Sequence, residues 1–215
     1  MKKSMACLLV VVAVGLNFGA SAVGAVIRYD SQSAFVAAST GLTTDSFAGL
    51  DSSGNGYTFI GTTVTRGDMT ITNTNAVYAV TWGFGPGNEM PDGGTCLTGD
   101  GNTITDITFA PGHTAVGLDT FALNNPATVY GVVTFSDNTT LDFSKAATVP
   151  FTTPPSYLGF IVNTPGVTIL KISTNLPTQN GFAFSEVSLG TAVPEPASLM
   201  LLVTGLVGLS WRKRR

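Results

Sequence analysis

Residues 129–143 read VYGVVTF-SDN-TTLDF, two runs of alternating apolar and polar residues joined by three turn formers. Side chains alternate between the two faces of a strand, so a period of two broken by turn residues specifies hairpins rather than helices. The pattern recurs from residue 26 to residue 190. It predicts strands at 26–29, 43–47, 56–60, 62–66, 69–72, 76–82, 104–109, 115–123, 128–135, 139–143, 157–162, 167–173 and 182–189. One short helix is expected at 33–39, capped by Asp30 and Ser31, with Ala34, Phe35 and Ala38 as its apolar face. Residues 83–103 form the longest expected loop. Many short strands and almost no helix imply an all-β fold, an antiparallel β-sandwich of jelly-roll type. An immunoglobulin-like sandwich is the alternative, but its Cys…Trp…Cys pattern is missing. Thr62, Thr63, Thr65, Thr70, Thr72 and Thr74 suit the solvent side of a sheet.

Charge narrows the partners. Only 11% of the chain is charged, and six of its ten basic residues lie at the two ends. Residues 26–190 hold Arg28, Arg66, Lys145 and Lys171 against twelve acids, a net of −8. A nucleic-acid partner needs clustered Lys and Arg, and this body offers none. At 44% hydrophobic the chain is too apolar for a charge-driven disordered segment.

Both ends read as addresses. Lys2 and Lys3, the apolar run 6–16, and small residues with A-x-A-like cleavage points after Ala22 or Ala25 make residues 1–25 a secretory signal peptide. The expected partners there are the secretion machinery and signal peptidase. At the other end, Val193-Pro194-Glu195-Pro196 is a rigid break. An apolar segment at 197–209 follows, then Trp211, Arg212, Lys213, Arg214 and Arg215. Such a basic cluster stays on the cytoplasmic side, and the apolar stretch is short for a permanent span. A transient inner-membrane anchor, held by a short transmembrane helix, fits both facts. The chain thus divides into a signal peptide at 1–25, a β-sandwich domain at 26–190 and a C-terminal signal at 191–215.

The combination of Pro194, Glu195, Pro196, a Gly205/Gly208-containing apolar segment and Trp211 to Arg215 resembles the PEP-CTERM sorting signal of Gram-negative bacteria. That resemblance implies export across the inner membrane, handling by an exosortase, and release or transfer to the cell envelope, surface or extracellular matrix. It also implies an association with extracellular polysaccharide and biofilm. The body segments VIRYDSQSAFVAA, ITFAPGHTAVGLDTF and GFAFSEVSLG are similar to mature regions of the same group, with Ser185-Glu186 where a paired aspartate often stands. This second likeness implies a galactose-binding-like or lectin-like sandwich.

Chemistry is sparse in the body. Cys96 is its one cysteine and His113 the one histidine of the chain, so neither a dithiol nor a metal cluster built on them can form. No G-x-S-x-G elbow accompanies His113. Asn88, Glu89, Asp92, Asp100 and Asn102 crowd one glycine-rich stretch and offer the oxygens a structural calcium takes. Beyond that no cofactor is expected. Trp82 is a candidate platform for a sugar ring, and Phe84, Tyr57, Tyr78 and Tyr157 are further aromatic candidates. Arg66-Gly67-Asp68 spells an adhesion tripeptide within an expected turn, and Asn138-Thr139-Thr140 fits a glycosylation sequon. The leading expectation is a non-enzymatic exported matrix or surface protein with affinity for carbohydrate. The alternative is a secreted carbohydrate-active hydrolase using two carboxylates.

Overall fold

A computed structural model describes residues 26–50, 57–80, 95–99, 104–122, 127–147, 156–175 and 182–193. Among these residues the chain forms twelve antiparallel strands and one six-residue helix. The elements are β1 (Val26–Tyr29), α1 (Gln32–Ala37), β2 (Ser39–Asp45), β3 (Tyr57–Arg66), β4 (Met69–Val80), β5 (Cys96–Gly99) and β6 (Thr105–Phe109). They continue with β7 (Ala115–Ala122), β8 (Ala127–Phe135), β9 (Thr140–Ala147), β10 (Ser156–Val162), β11 (Ile169–Asn175) and β12 (Phe182–Ala192).

Pairing divides the strands into two layers. One runs β1-β10-β7-β12, with β2 on the far side of β12, and the other runs β3-β4-β6-β11-β8-β9. The short β5 bonds to both β12 and β4, so the sheet turns a corner there and continues from one layer into the other. Inward side chains of both layers meet in one core. Val116, Leu118, Leu158, Phe160, Phe184 and Val187 come from the first layer, and Ile71, Ile107, Val133, Phe135, Phe143 and Ile172 from the second. Phe143 of β9 packs on Phe160 of β10 with ring centroids 5.3 Å apart. The antiparallel sandwich expected from the alternating pattern is the fold observed.

The open edges β1 and β9 close on each other through charged side chains. Arg28 Nη1 donates to the Ser144 carbonyl at 2.9 Å, and Lys145 Nζ reaches Asp30 Oδ1 at 2.7 Å. Charges on an edge strand discourage pairing with another chain, so this seam ties the sandwich and guards its edges.

Local chemistry explains the elements that differ from expectation. The β8–β9 turn is the three-residue loop expected. Asn138 adopts φ 65° and its N–H donates to the Phe135 carbonyl at 3.0 Å. Asp137 Oδ1 accepts from both the backbone N–H and the hydroxyl of Thr139. Ser31 does hold the N-cap position of α1, but its hydroxyl pairs with that of Ser33 and no side chain caps the helix. Asp30 is committed to Arg28 and Lys145 instead. The two strands expected at 56–60 and 62–66 are one, because Gly61, at φ 124°, absorbs a register shift without breaking the pairing. Those at 69–72 and 76–82 also fuse, into β4. Asn73 Oδ1 accepts the N–H groups of Asn75 and Ala76, and at this kink β4 changes partner from β6 to β5. Finally, β5 lies inside the stretch expected to be a loop at 83–103, where β12 and β4 on either side give its four residues pairing partners.

Candidate functional site

Many of the candidate residues read from the sequence lie outside the described ones. These are the signal peptide at 1–25, Trp82, Phe84, the calcium candidates Asn88, Glu89, Asp92, Asp100 and Asn102, and the tail residues Pro194, Glu195, Pro196, Trp211, Arg212, Lys213, Arg214 and Arg215. Val193 is described. It follows β12 directly, is 43% exposed, and its N–H donates to the Ala38 carbonyl at 3.0 Å. The residue that follows the last strand is therefore held by the end of the helix. Among the described residues no helix is long and apolar enough to cross a membrane.

Two clefts open on the described surface. One, of about 550 Å³, lies between β2, the β3–β4 turn and β12, and contains Asp45, Arg66, Asp68 and Met69. Arg66 grips Asp45 with two bonds of 3.0 Å. This bidentate contact holds the Asp45 carboxyl below its ordinary range, aided by the Phe47 N–H. Asp68 in turn receives His113 Nε2 at 3.2 Å. The adhesion tripeptide is thus consumed by the fold, since Arg66 and Asp68 bond to other side chains.

The second cleft, of about 470 Å³, lies on the outer face of the β3-β4-β6 layer. Thr62, Thr63, Thr72, Asn73, Thr74 and Asp106 line it with hydroxyls, an amide and a carboxylate around Ile104, which is 52% exposed. Asp106 Oδ2 pairs with Lys171 at 3.3 Å, while Oδ1 is buried without a hydrogen-bond partner. Thr62, Thr63, Thr65 and Thr74 are exposed and Thr70 and Thr72 half-buried, as a solvent-facing threonine surface requires.

The aromatic candidates separate. Tyr157 is buried and Tyr78 half-buried against Phe59, with centroids 5.8 Å apart. The exposed rings among described residues are Phe59 and Tyr130, neither of which the alternating pattern singled out. Tyr130 stands on β8 between Ser144 and Asn175 on the flanking strands. Cys96 is fully buried on β5, and burial pushes its thiol up to about 12, so it is inert to oxidants and to a partner chain. His113 bonds to an exposed turn aspartate, with no nucleophile found beside the pair among the described hydrogen bonds.

One arrangement escaped the sequence reading. Asp119 on β7 faces Tyr157 on β10 and lies opposite the bulge in β12 that contains Ser185 and Glu186. Burial first, and then the charge of Glu186, push the Asp119 carboxyl up to about 6. The Tyr157 hydroxyl is buried, has no hydrogen-bond partner and is shifted upward by burial and by both carboxylates. The signal for this cluster was an acid inside an apolar run, AVGLDTFA, rather than in a turn.

A family model described as the PEP-CTERM protein-sorting motif matches residues 192–215. The matched segment begins at the last residue of β12 and runs to the end of the sequence. The chain thus carries a C-terminal sorting motif consistent with an exosortase substrate, which implies export and a cell-surface or extracellular destination. No curated protein matches the chain. Among solved structures, the chain is similar to TmCBM61, a structure in complex with β-1,4-galactotriose. That match has 13% identity and a TM-score of 0.36, covering 57% of this chain and 88% of that one. A mutant of CBM29-2, a family 29 carbohydrate-binding module, matches with 11% identity and a TM-score of 0.33, over 65% and 98% of the two chains. The family 11 module of the cellulosomal cellulase Lic26A-Cel5E of Clostridium thermocellum gives 8% identity and 0.31, over 65% and 96%. Overlaps this loose carry no argument about ligand or activity.

Proposed function

We propose that the chain is a non-enzymatic surface or extracellular-matrix protein, exported through its N-terminal signal peptide, processed by an exosortase at its C-terminal motif, and associated with extracellular polysaccharide. The observation that carries this reading is the motif at 192–215, joined directly to the end of β12. Pro194-Glu195-Pro196 offers an extended segment to the processing enzyme, because each proline fixes φ and withholds a donor. The apolar segment behind it and Arg212 to Arg215 hold that site at the inner membrane until cleavage.

Carbohydrate affinity rests on the threonine-lined cleft. Sugar recognition needs hydrogen-bonding groups set around an apolar contact, and Thr62, Thr63, Thr72, Asn73 and Asp106 around Ile104 supply both. Trp82, two residues beyond the end of β4, is the stacking candidate for the same role. The hydrolase alternative finds no free pair of carboxylates in the described clefts, since Asp106, the acid lining the second, bonds to Lys171. Asp45 is held ionised by Arg66, which unsuits it as a general acid, and Asp68 is taken by His113.

The test is cosedimentation of the purified chain with polysaccharide extracted from its own host, together with fractionation of that host with and without its exosortase. Association with polysaccharide, lost in Thr63→Arg or in Trp82→Ala, supports the reading. A chain that reaches the surface equally well without the exosortase would remove the sorting half of it.

A further inference from the structure

We propose that Asp119, Glu186 and Tyr157 form a binding site for a hard divalent cation of the calcium class, built on the bulge of β12. The register between β12 and β7 breaks between Phe184 and Val187, so Ser185 and Glu186 together stand opposite Asp119. A bulge of this kind withdraws backbone groups from the ladder and re-aims side chains. Across the other edge of β7, Tyr157 is the direct partner of Asp119, and its ring reaches over Gly117. A side chain at Gly117 would collide with the tyrosine hydroxyl, so the glycine is what lets Tyr157 cross β7 from the β10 side. Tyr157 is 7% exposed and Asp119 9% exposed.

The charge inventory leaves a place for a bound cation. Arg28 and Lys145 are committed to Asp30, Arg66 to Asp45 and Lys171 to Asp106. His113, the sole histidine, is committed to Asp68. Between residues 29 and 211 the sequence contains no other Lys or Arg, so no loop of the body brings another basic side chain to Asp119. The helix packed over this face, α1, has the sequence QSAFVA and carries no charge. Asp119, buried, and Glu186, half-buried, stand opposite each other across β7 and β12 with no basic side chain left to pair with them, an arrangement that a bound cation relieves. Calcium accepts carboxylate, hydroxyl, carbonyl and water oxygens in flexible geometry, which fits two acids, a buried phenol and a bulged backbone. This site is separate from the polysaccharide reading and would stand if that reading failed.

The experiment is calorimetric titration of the full chain, purified in detergent, with calcium chloride at pH 7.5 and pH 5.0. Saturable binding at pH 7.5 is expected, with weaker binding at pH 5.0, where protons compete for the carboxylate oxygens. Asp119→Asn and Glu186→Gln should each weaken binding at least tenfold while the far-ultraviolet dichroism stays that of the parent. As a second measurement, terbium chloride should give emission sensitised by Tyr157, and Tyr157→Phe should lose most of it. Absence of saturable calcium binding at pH 7.5 would overturn the proposal. So would undiminished binding in both carboxylate variants, which would put the cation elsewhere, as on the Asn88–Asn102 stretch. Undimmed terbium emission in Tyr157→Phe would overturn it as well.

Discussion

The two layers of the sandwich share one core but treat their outer faces oppositely. Strand β9 alternates between exposed and buried positions, and the threonines of β3 and β4 face solvent. Six of the seven residues of β10 are buried, and the outer face of its layer is covered at one end by α1. Phe35 of α1 packs on Tyr157 with centroids 5.6 Å apart. Gly159 makes room for it, since a Cβ there would come within 2.7 Å of the Phe35 ring. A sheet face left to water reads as strict alternation, whereas a face covered by another element reads as a continuous apolar run. The covered face is also where the buried acid and the unpartnered phenol gather, while the thiol of Cys96 packs in a separate cluster with Val80, Phe121 and Ala183. Polar groups enclosed there lose the water that would satisfy them, as Asp106 Oδ1 also does on the open layer, whose exposed threonines keep it.

Substitutions can break this contrast. The largest effect is expected from Phe35→Ala, which empties the contact between helix and sheet and should cost about 3–5 kcal/mol in urea unfolding. A cost under about 1 kcal/mol would mean that α1 does not seal the face. Next, Gly117→Ala should cost roughly 1–3 kcal/mol through overpacking against Tyr157. Neutrality at that position would place the tyrosine ring elsewhere.

The pH profile sharpens the same point. Asp119 titrates near 6 when folded and near 3.8 when unfolded, so the native state binds the extra proton between those values. In calcium-free buffer this group makes stability fall as pH rises from about 4 to 6 and then level off. Asp30 and Asp45, both held low, act in the opposite sense. Their contribution is present above the ordinary carboxylate range and lost as pH falls through it. Asp119→Asn should therefore remove the fall between pH 4 and 6 in urea midpoints and leave the acid limb. The smallest effect belongs to the open layer, where Thr65→Ala should stay within about 0.5 kcal/mol of the parent.

The open layer was also the legible one. The hairpin at β8–β9, the threonine faces and the sandwich itself follow from alternation and turn residues, which are local signals. Where the structure departs, the cause is tertiary. Gly61 and Asn73-Thr74-Asn75 have the composition of chain breaks, yet in β3 and β4 they serve as a bulge and as a change of partner. Strand β5 is four residues, CLTG, set in glycine-rich sequence, and it exists because β12 and β4 flank it. Asp51, Asp92, Asp100 and Asp137 stand beside turn formers, where an aspartate is ordinarily solvated. That Asp119 and Glu186 meet depends on two strands far apart in sequence and on a bulge between them, neither of which a periodicity contains. The sorting motif was legible outright, because it is short, contiguous and independent of folding.

On the proposed reading the last two dozen residues deliver the sandwich to the cell surface. The most direct test is mass spectrometry of the mature protein recovered from its native host, read at the C-terminal peptide. Processing at the motif predicts an end at or near Val193 to Pro196, with the apolar segment and its basic cluster gone. A mature chain that still ends at Arg215 would contradict it.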